Sequence, residues 1–183
     1  MDNLDAFEVV VDFFQANNER FDFSKDNITP EELARRAYFF ALGFSKIIDL
    51  ITDCHNIDQI LYCEQVATVL SLVDEVLLKS LIYQGMKPEE LRCLNEHDLL
   101  KLFYMLADEE QEALWKEYNK VNEKQITKGE FLEALKEIKD TFMQFRYCYE
   151  LKGFALQQSF LKRFTRTMIE YCKMKRMASN KAI

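Results

Sequence analysis

Arg92 and His97 stand five positions apart in the stretch RCLNEHDLLKLF, and His97 is one of two histidines in the chain. Arginine carries a planar, permanently charged fork that fits a phosphate. Histidine takes or gives a proton near neutral pH. A metal-independent ribonuclease needs those two functions: a base for the 2′-hydroxyl and a cation for the charge that builds on phosphate in the transition state. Five residues apart on one continuous helix, two side chains diverge by about 140°. The pair therefore converges only across a loop or a helix start. The residues LNEHD supply a start, with Asn95 as N-cap and Asp98 three positions on as its partner. The same residues also suit a plain reading in which His97 is an ordinary first-turn residue.

Other constellations compete. His55, His97-Asp98 and Asp140 follow the order H…HD…D of metal-dependent His-Asp phosphohydrolases, in which a bound metal activates water. Here, however, the HD pair follows the polar LNE rather than an apolar helical run. Cys54, His55 and Cys63 would give three zinc ligands where a structural site wants four. The stretch NKVNEKQITKGEF has the outline of a calcium loop from Asn119 to Glu130. Val121 and Lys124 then fall where an oxygen ligand and a turn glycine are needed, which excludes it. There is no GxxxxGK, GxGxxG or nucleophile elbow. No metal and no cofactor is called for. Arg146 and Glu150, four apart, are either an intrahelical pair or, with Tyr147, a polar cluster that binds a nucleotide or RNA or, as a structural element, fixes the start of the HDL helix.

The elements that must position these residues read as helices. Leu4, Phe7, Val10, Val11 and Phe14 mark a helix over about 3–17. Thr29, Pro30 and Glu32 are a helix start with a capping box. Behind it, Leu33, Ala37, Phe40, Phe44, Ile47 and Ile51 form the expected core stripe. A helix over about 57–84 is apolar around most of its girth and belongs in the middle of a bundle, with Gly85 at its C-terminal end. Shorter helices are expected over about 96–106 and from Asp108. From about Thr127 to Glu150, Phe131, Leu135, Ile138, Phe142, Phe145 and Tyr149 predict one continuous helix. Gly153 ends it, and a last helix follows over about 156–177.

Composition agrees. The 183 residues include only 4 Gly and 2 Pro, too few for the turns of a β-rich fold. At 49% hydrophobic content, one domain with a sizeable core is expected over 1–183. Within it, residues 31–175 would form the bundle and 1–28 an added N-terminal helix and connector. The five cysteines are dispersed and odd in number, which fits a reducing cytoplasm rather than a disulfide framework. No apolar run reaches the roughly 18 residues of a membrane span. The net charge of −7 is uneven: residues 152–183 hold eight basic residues against one acid, and the remainder 16 against 30. An acidic body discourages non-specific binding to nucleic acid, whereas the basic last helix would suit a phosphate backbone or an acidic protein surface.

In order along the chain, VDEVLLKSLIYQG, EHDLLKLFYML, FMQFRYCYELKG and FLKRFTRTMIEYCKM resemble the helices of HEPN domains (higher eukaryotes and prokaryotes nucleotide-binding). The resemblance implies an all-α, up-and-down antiparallel bundle, often a homodimer. It implies a defence or toxin–antitoxin setting with an antitoxin or nucleotidyltransferase as partner. Many members are metal-independent ribonucleases with an R-x(4–6)-H motif, which Arg92 and His97 match. The resemblance thus implies RNA or nucleotide binding, with Arg92 as phosphate clamp and His97 as base. The rival reading is a non-enzymatic helical module that dimerises or docks a partner. The metal phosphohydrolase comes third.

Overall fold

A computed structural model of the chain describes residues 29–53, 59–90, 94–123, 125–146 and 158–180. It is an all-α bundle. The helices are α1 (Pro30–Asp53), α2 (Gln59–Gly85), α3 (Leu99–Tyr104), α4 (Asp108–Val121), α5 (Lys128–Ile138), α6 (Thr141–Arg146) and α7 (Gln158–Asn180), with a 3₁₀ turn at Pro88–Glu90. The helix expected over 3–17 lies outside the described residues.

α2 is the centre, as its girth of apolar residues predicts. It packs against α1, α3, α6 and α7. Val73, Leu77 and Leu78 are fully buried, and Leu70, Leu81 and Ile82 nearly so. At the other side of α7 sits an aromatic cluster. Tyr118 of α4 meets Phe131 of α5 and Phe160 of α7 at centroid distances of 5.3 Å each, and Phe131 also touches Phe103 and Phe164. Edge and tilted contacts of this kind add to the burial of large rings.

α1 starts as its sequence predicts. The Thr29 hydroxyl accepts from the Glu32 backbone N–H at 3.2 Å. The Glu32 carboxylate goes to Arg35 and Arg36, at 2.7 and 2.8 Å. The Arg35 hydrogen bond, with Arg36 assisting, holds that carboxyl down at about 2.

The inward face of α1 differs from the expected stripe by about one position. The residues that face the core are Ala34, Tyr38, Ala41 and Ile48, whereas Phe40 is 49% exposed. The reason is close approach. The Ser80 hydroxyl of α2 donates to the Ala34 carbonyl at 2.8 Å, which requires small residues at the contact. Ala34 and Ala41 supply them, and the bulkier Phe39 and Phe44 pack at the flanks.

Two boundaries also differ. The helix expected over about 127–150 breaks after Ile138 into α5 and α6, with a turn at Lys139 and Asp140. Residues 147–150 lie outside the described residues. The helix expected from residue 96 begins at Leu99 instead, and Asp98, not Asn95, is its N-cap. The two differences have one cause. The turn leaves the Lys139 carbonyl to accept from the Leu99 N–H at 3.0 Å, so the break in one helix anchors the start of the other.

Candidate functional site

The site is built around His97, in residues 94–98, which precede α3. That stretch is held at several points. The Leu94 N–H donates to the Tyr83 hydroxyl at 3.3 Å. The Glu96 carboxylate folds back to accept from the His97 and Asp98 backbone N–H groups, at 3.0 and 2.9 Å. Those bonds, the one from Asp98 foremost, hold the Glu96 carboxyl below its usual range. Asp98 then caps α3 by accepting from the Leu100 and Lys101 N–H groups at 2.9 and 3.0 Å. Its second oxygen lies 3.6 Å from the Lys139 ammonium.

With its backbone fixed, the His97 ring reaches to α2. Nδ1 lies 3.0 Å from Oε1 of Glu75, and Lys79, one turn along α2, donates to the same oxygen at 2.7 Å. The ring also lies near Phe142 of α6, with centroids 6.4 Å apart. Glu75 is only 3% exposed, whereas the His97 side chain is 47% exposed. A carboxylate has lone pairs only, so in the neutral ring the Nδ1 that faces it carries the hydrogen and Nε2 the free lone pair. A buried acid thus fixes the tautomer and the direction of a half-exposed imidazole.

Of the residues expected to form the site, only His97 has a described side chain, and it lies in this cluster. Arg92 lies outside the described residues. Arg146 closes α6, with its side chain outside the described residues, as are Tyr147 and Glu150. Glu75 and Lys79, which belong to the VDEVLLKSLIYQG stretch that carries the resemblance, complete the site, though neither was expected to meet His97. A signal existed: an acid and a lysine four apart interrupt the most apolar helix of the chain. Such a pair inside a core helix needs a partner, because an unpaired buried charge is costly.

Among the described residues no group of three His, Cys, Asp or Glu side chains could hold a metal. Asp98 of the HD pair is committed to capping α3. His55 and Cys54 lie outside the described residues, as does the side chain of Cys63. The calcium-loop outline folds as an ordinary connection. Asn119 pairs with the Ile126 backbone through both side-chain atoms, at 3.0 and 3.1 Å, and Glu130 forms a capping box with Thr127. Among the described residues no helix is long and apolar enough to cross a membrane.

A cleft of about 840 Å³ opens elsewhere, between Arg35 of α1, Met86, Leu106, Glu110 and Lys175. It does not include His97 or Glu75. Its lining holds three acids, Glu31, Glu90 and Glu110, and three basic residues, Arg35, Lys175 and Arg176, so its net charge favours neither sign of ligand. Comparison with family models, with curated proteins and with solved structures gave no match.

Proposed function

We propose that the chain is a HEPN-like, RNA-binding module that cleaves RNA without metal, as a toxin or defence protein acting as a homodimer. The observation that carries this reading is the buried Glu75 carboxylate held against Nδ1 of a half-exposed His97. With Nε2 unprotonated, His97 takes the proton of a ribose 2′-hydroxyl. The 2′-oxygen then attacks the adjacent phosphorus and the bond to the 5′-oxygen breaks. A 2′,3′-cyclic phosphate forms, and the 5′-oxygen leaves as a hydroxyl with a proton taken from water, while the proton on Nε2 returns to solvent. Arg92 would stabilise the phosphate charge. A carboxylate behind a histidine, fixing its tautomer, is a recurring device in acid–base catalysis.

The test is incubation with tRNA and mRNA in EDTA. Cleavage with cyclic-phosphate ends is expected from the wild type. It should be lost in His97→Ala and Arg92→Ala and strongly reduced in Glu75→Gln. Cleavage that survives His97→Ala sinks the assignment.

A second reading, a non-enzymatic docking module, is favoured by a different observation. Tyr104 and Met105, adjacent at the end of α3, are 54% and 40% exposed. Large apolar side chains grouped on a surface mark contact sites. An inert protein whose oligomeric state or partner binding responds to Tyr104→Ser would favour this reading over the nuclease.

A further inference from the structure

On the face formed by α1 and α7, away from His97, a groove of about 720 Å³ runs between the two helices with α2 beneath it. Its apolar lining is Phe39, Leu42, Ile48, Val66, Leu70 and Ile169. Its rim is cationic: Lys46 on α1, and Lys162, Arg166 and Lys173 on α7, against one acid, Glu170, which pairs with Lys173 at 2.9 Å. Lys162 and Arg166, one turn apart, are exposed. A groove between two helices with an apolar bed accepts an amphipathic helix. A positive rim on a chain of net charge −7 further selects an acidic one.

The chain contains such a segment. Leu4, Phe7, Val11 and Phe14 follow a 3-4-3 spacing, one stripe of a helix. Asp5, Glu8 and Asp12 each directly follow a member of that stripe, and so form an acidic stripe along its edge. Between Asp2 and Asn17 there is no lysine or arginine. The geometry permits the approach. From Thr29, at the start of α1, Phe39 and Ile48 lie about 15 and 28 Å along the helix. The connector of residues 18–28 can span about 36 Å. A tether of that reach holds the segment near the groove at roughly millimolar effective concentration.

We propose that residues 3–17 dock in this groove as an amphipathic helix of the same chain. Leu4, Phe7, Val11 and Phe14 would lie on the apolar bed, and Asp5, Glu8 and Asp12 along the α7 rim against Lys162 and Arg166. The proposal is independent of any nuclease activity at His97.

The experiment is zero-length carbodiimide crosslinking of the full chain, read by peptide mass spectrometry. Unlabelled and ¹⁵N-labelled protein are mixed in equal parts. The expected result is amide links from Asp5, Glu8 or Asp12 to Lys162 or Lys173, each within one isotope population. Lys162→Glu with Arg166→Glu should abolish links to Lys173. Adding Asp5→Lys, Glu8→Lys and Asp12→Lys to that variant should restore the docking, read as renewed hydrogen-exchange protection of residues 3–17. The restored protection separates docking from misfolding. Mixed-isotope links would mean that a second copy supplies the segment, and overturn the proposal. So would the absence of links together with unprotected amides in 3–17 of the wild type.

Discussion

Replacing Asp74 by asparagine is expected to change how stability depends on pH, by about 1.4 kcal/mol per pH unit. Asp74 is fully buried on α2. One carboxyl oxygen accepts from the Thr165 hydroxyl of α7 at 2.9 Å, and the other has no hydrogen-bond partner. Burial pushes the carboxyl well above its usual 3.8, and the Thr165 bond offsets only part of this. The unfolded chain releases this proton above 3.8, while the folded chain keeps it. The folded state then binds more protons, so the contribution to stability is whole below pH 3.8 and is lost as pH rises toward the folded pKa. Asparagine keeps the shape, can still accept from Thr165 and does not ionise, so it escapes that loss. It also brings an amide whose unmet donor costs about 1–3 kcal/mol. The variant should therefore start at or below wild type near pH 4 and gain on it steadily. Urea unfolding of both proteins in half-unit steps from about pH 4.5 to about pH 7 measures this. Every other carboxylate cancels in the difference between the two curves. A difference that stays flat across this range refutes the buried, proton-bearing Asp74.

Further changes test the rest of the scaffold and the site. Phe131→Ala removes a fully buried ring from the aromatic cluster and should cost about 3–5 kcal/mol in urea unfolding. Asp98→Ala removes the cap of α3 and should cost about 1–2 kcal/mol, whereas Asp98→Asn, an equally good cap, should cost far less. Equal losses would mean that the Lys139 contact, not the cap, matters. Glu75→Gln leaves Lys79 and His97 without the carboxylate they share. The loss should be about 1–3 kcal/mol, below the 3–5 of a wholly buried pair because the His97 side chain reaches water. In a double-mutant cycle with His97→Ala, the two changes should be non-additive; strict additivity would show that the 3.0 Å contact contributes nothing.

Much of the bundle was legible from periodicity, and the exceptions share a physical origin. The stripes Phe131-Leu135-Ile138 and Phe160-Phe164-Met168-Tyr171 are buried as their spacing implies, because each faces one large apolar cluster. On α1 the same method picked Phe40 over Ala41, since apolar size dominates a sequence pattern. Packing against α2 rewarded the small residue instead, and no single-helix pattern contains the shape of its partner. The break at Lys139 was invisible for a related reason. The apolar stripe runs on unbroken across it, whereas the interruption is held by the Thr141 hydroxyl, which donates to the Ile138 carbonyl at 2.7 Å, and from outside by Leu99 and Asp98. At the site, His97 stood out by type. Its orienting carboxylate did not, because Glu75 is 22 positions away and distance along the chain carries no sign of contact.

The two acids of α2 explain each other's placement. Asp74 and Glu75 are neighbours, so they leave the helix about 100° apart. One points to α7 and the other to the start of α3. A helix apolar around its girth could slide or rotate against its neighbours at little cost, since one branched aliphatic contact resembles the next. Two directional bonds to different partners remove that freedom. Asp74 can serve in the dry core because it keeps its proton there. Glu75 can serve at the edge because Lys79 shares its charge and His97 opens to solvent. The registration that holds α2 and α7 together therefore also sets where the Glu75 carboxylate meets the imidazole. On this argument Thr165→Val, on α7 and outside the His97 cluster, should disturb the His97 ring resonances in NMR more than Phe131→Ala does. A larger shift from Phe131→Ala would show that the site is positioned by the aromatic cluster and not through α2.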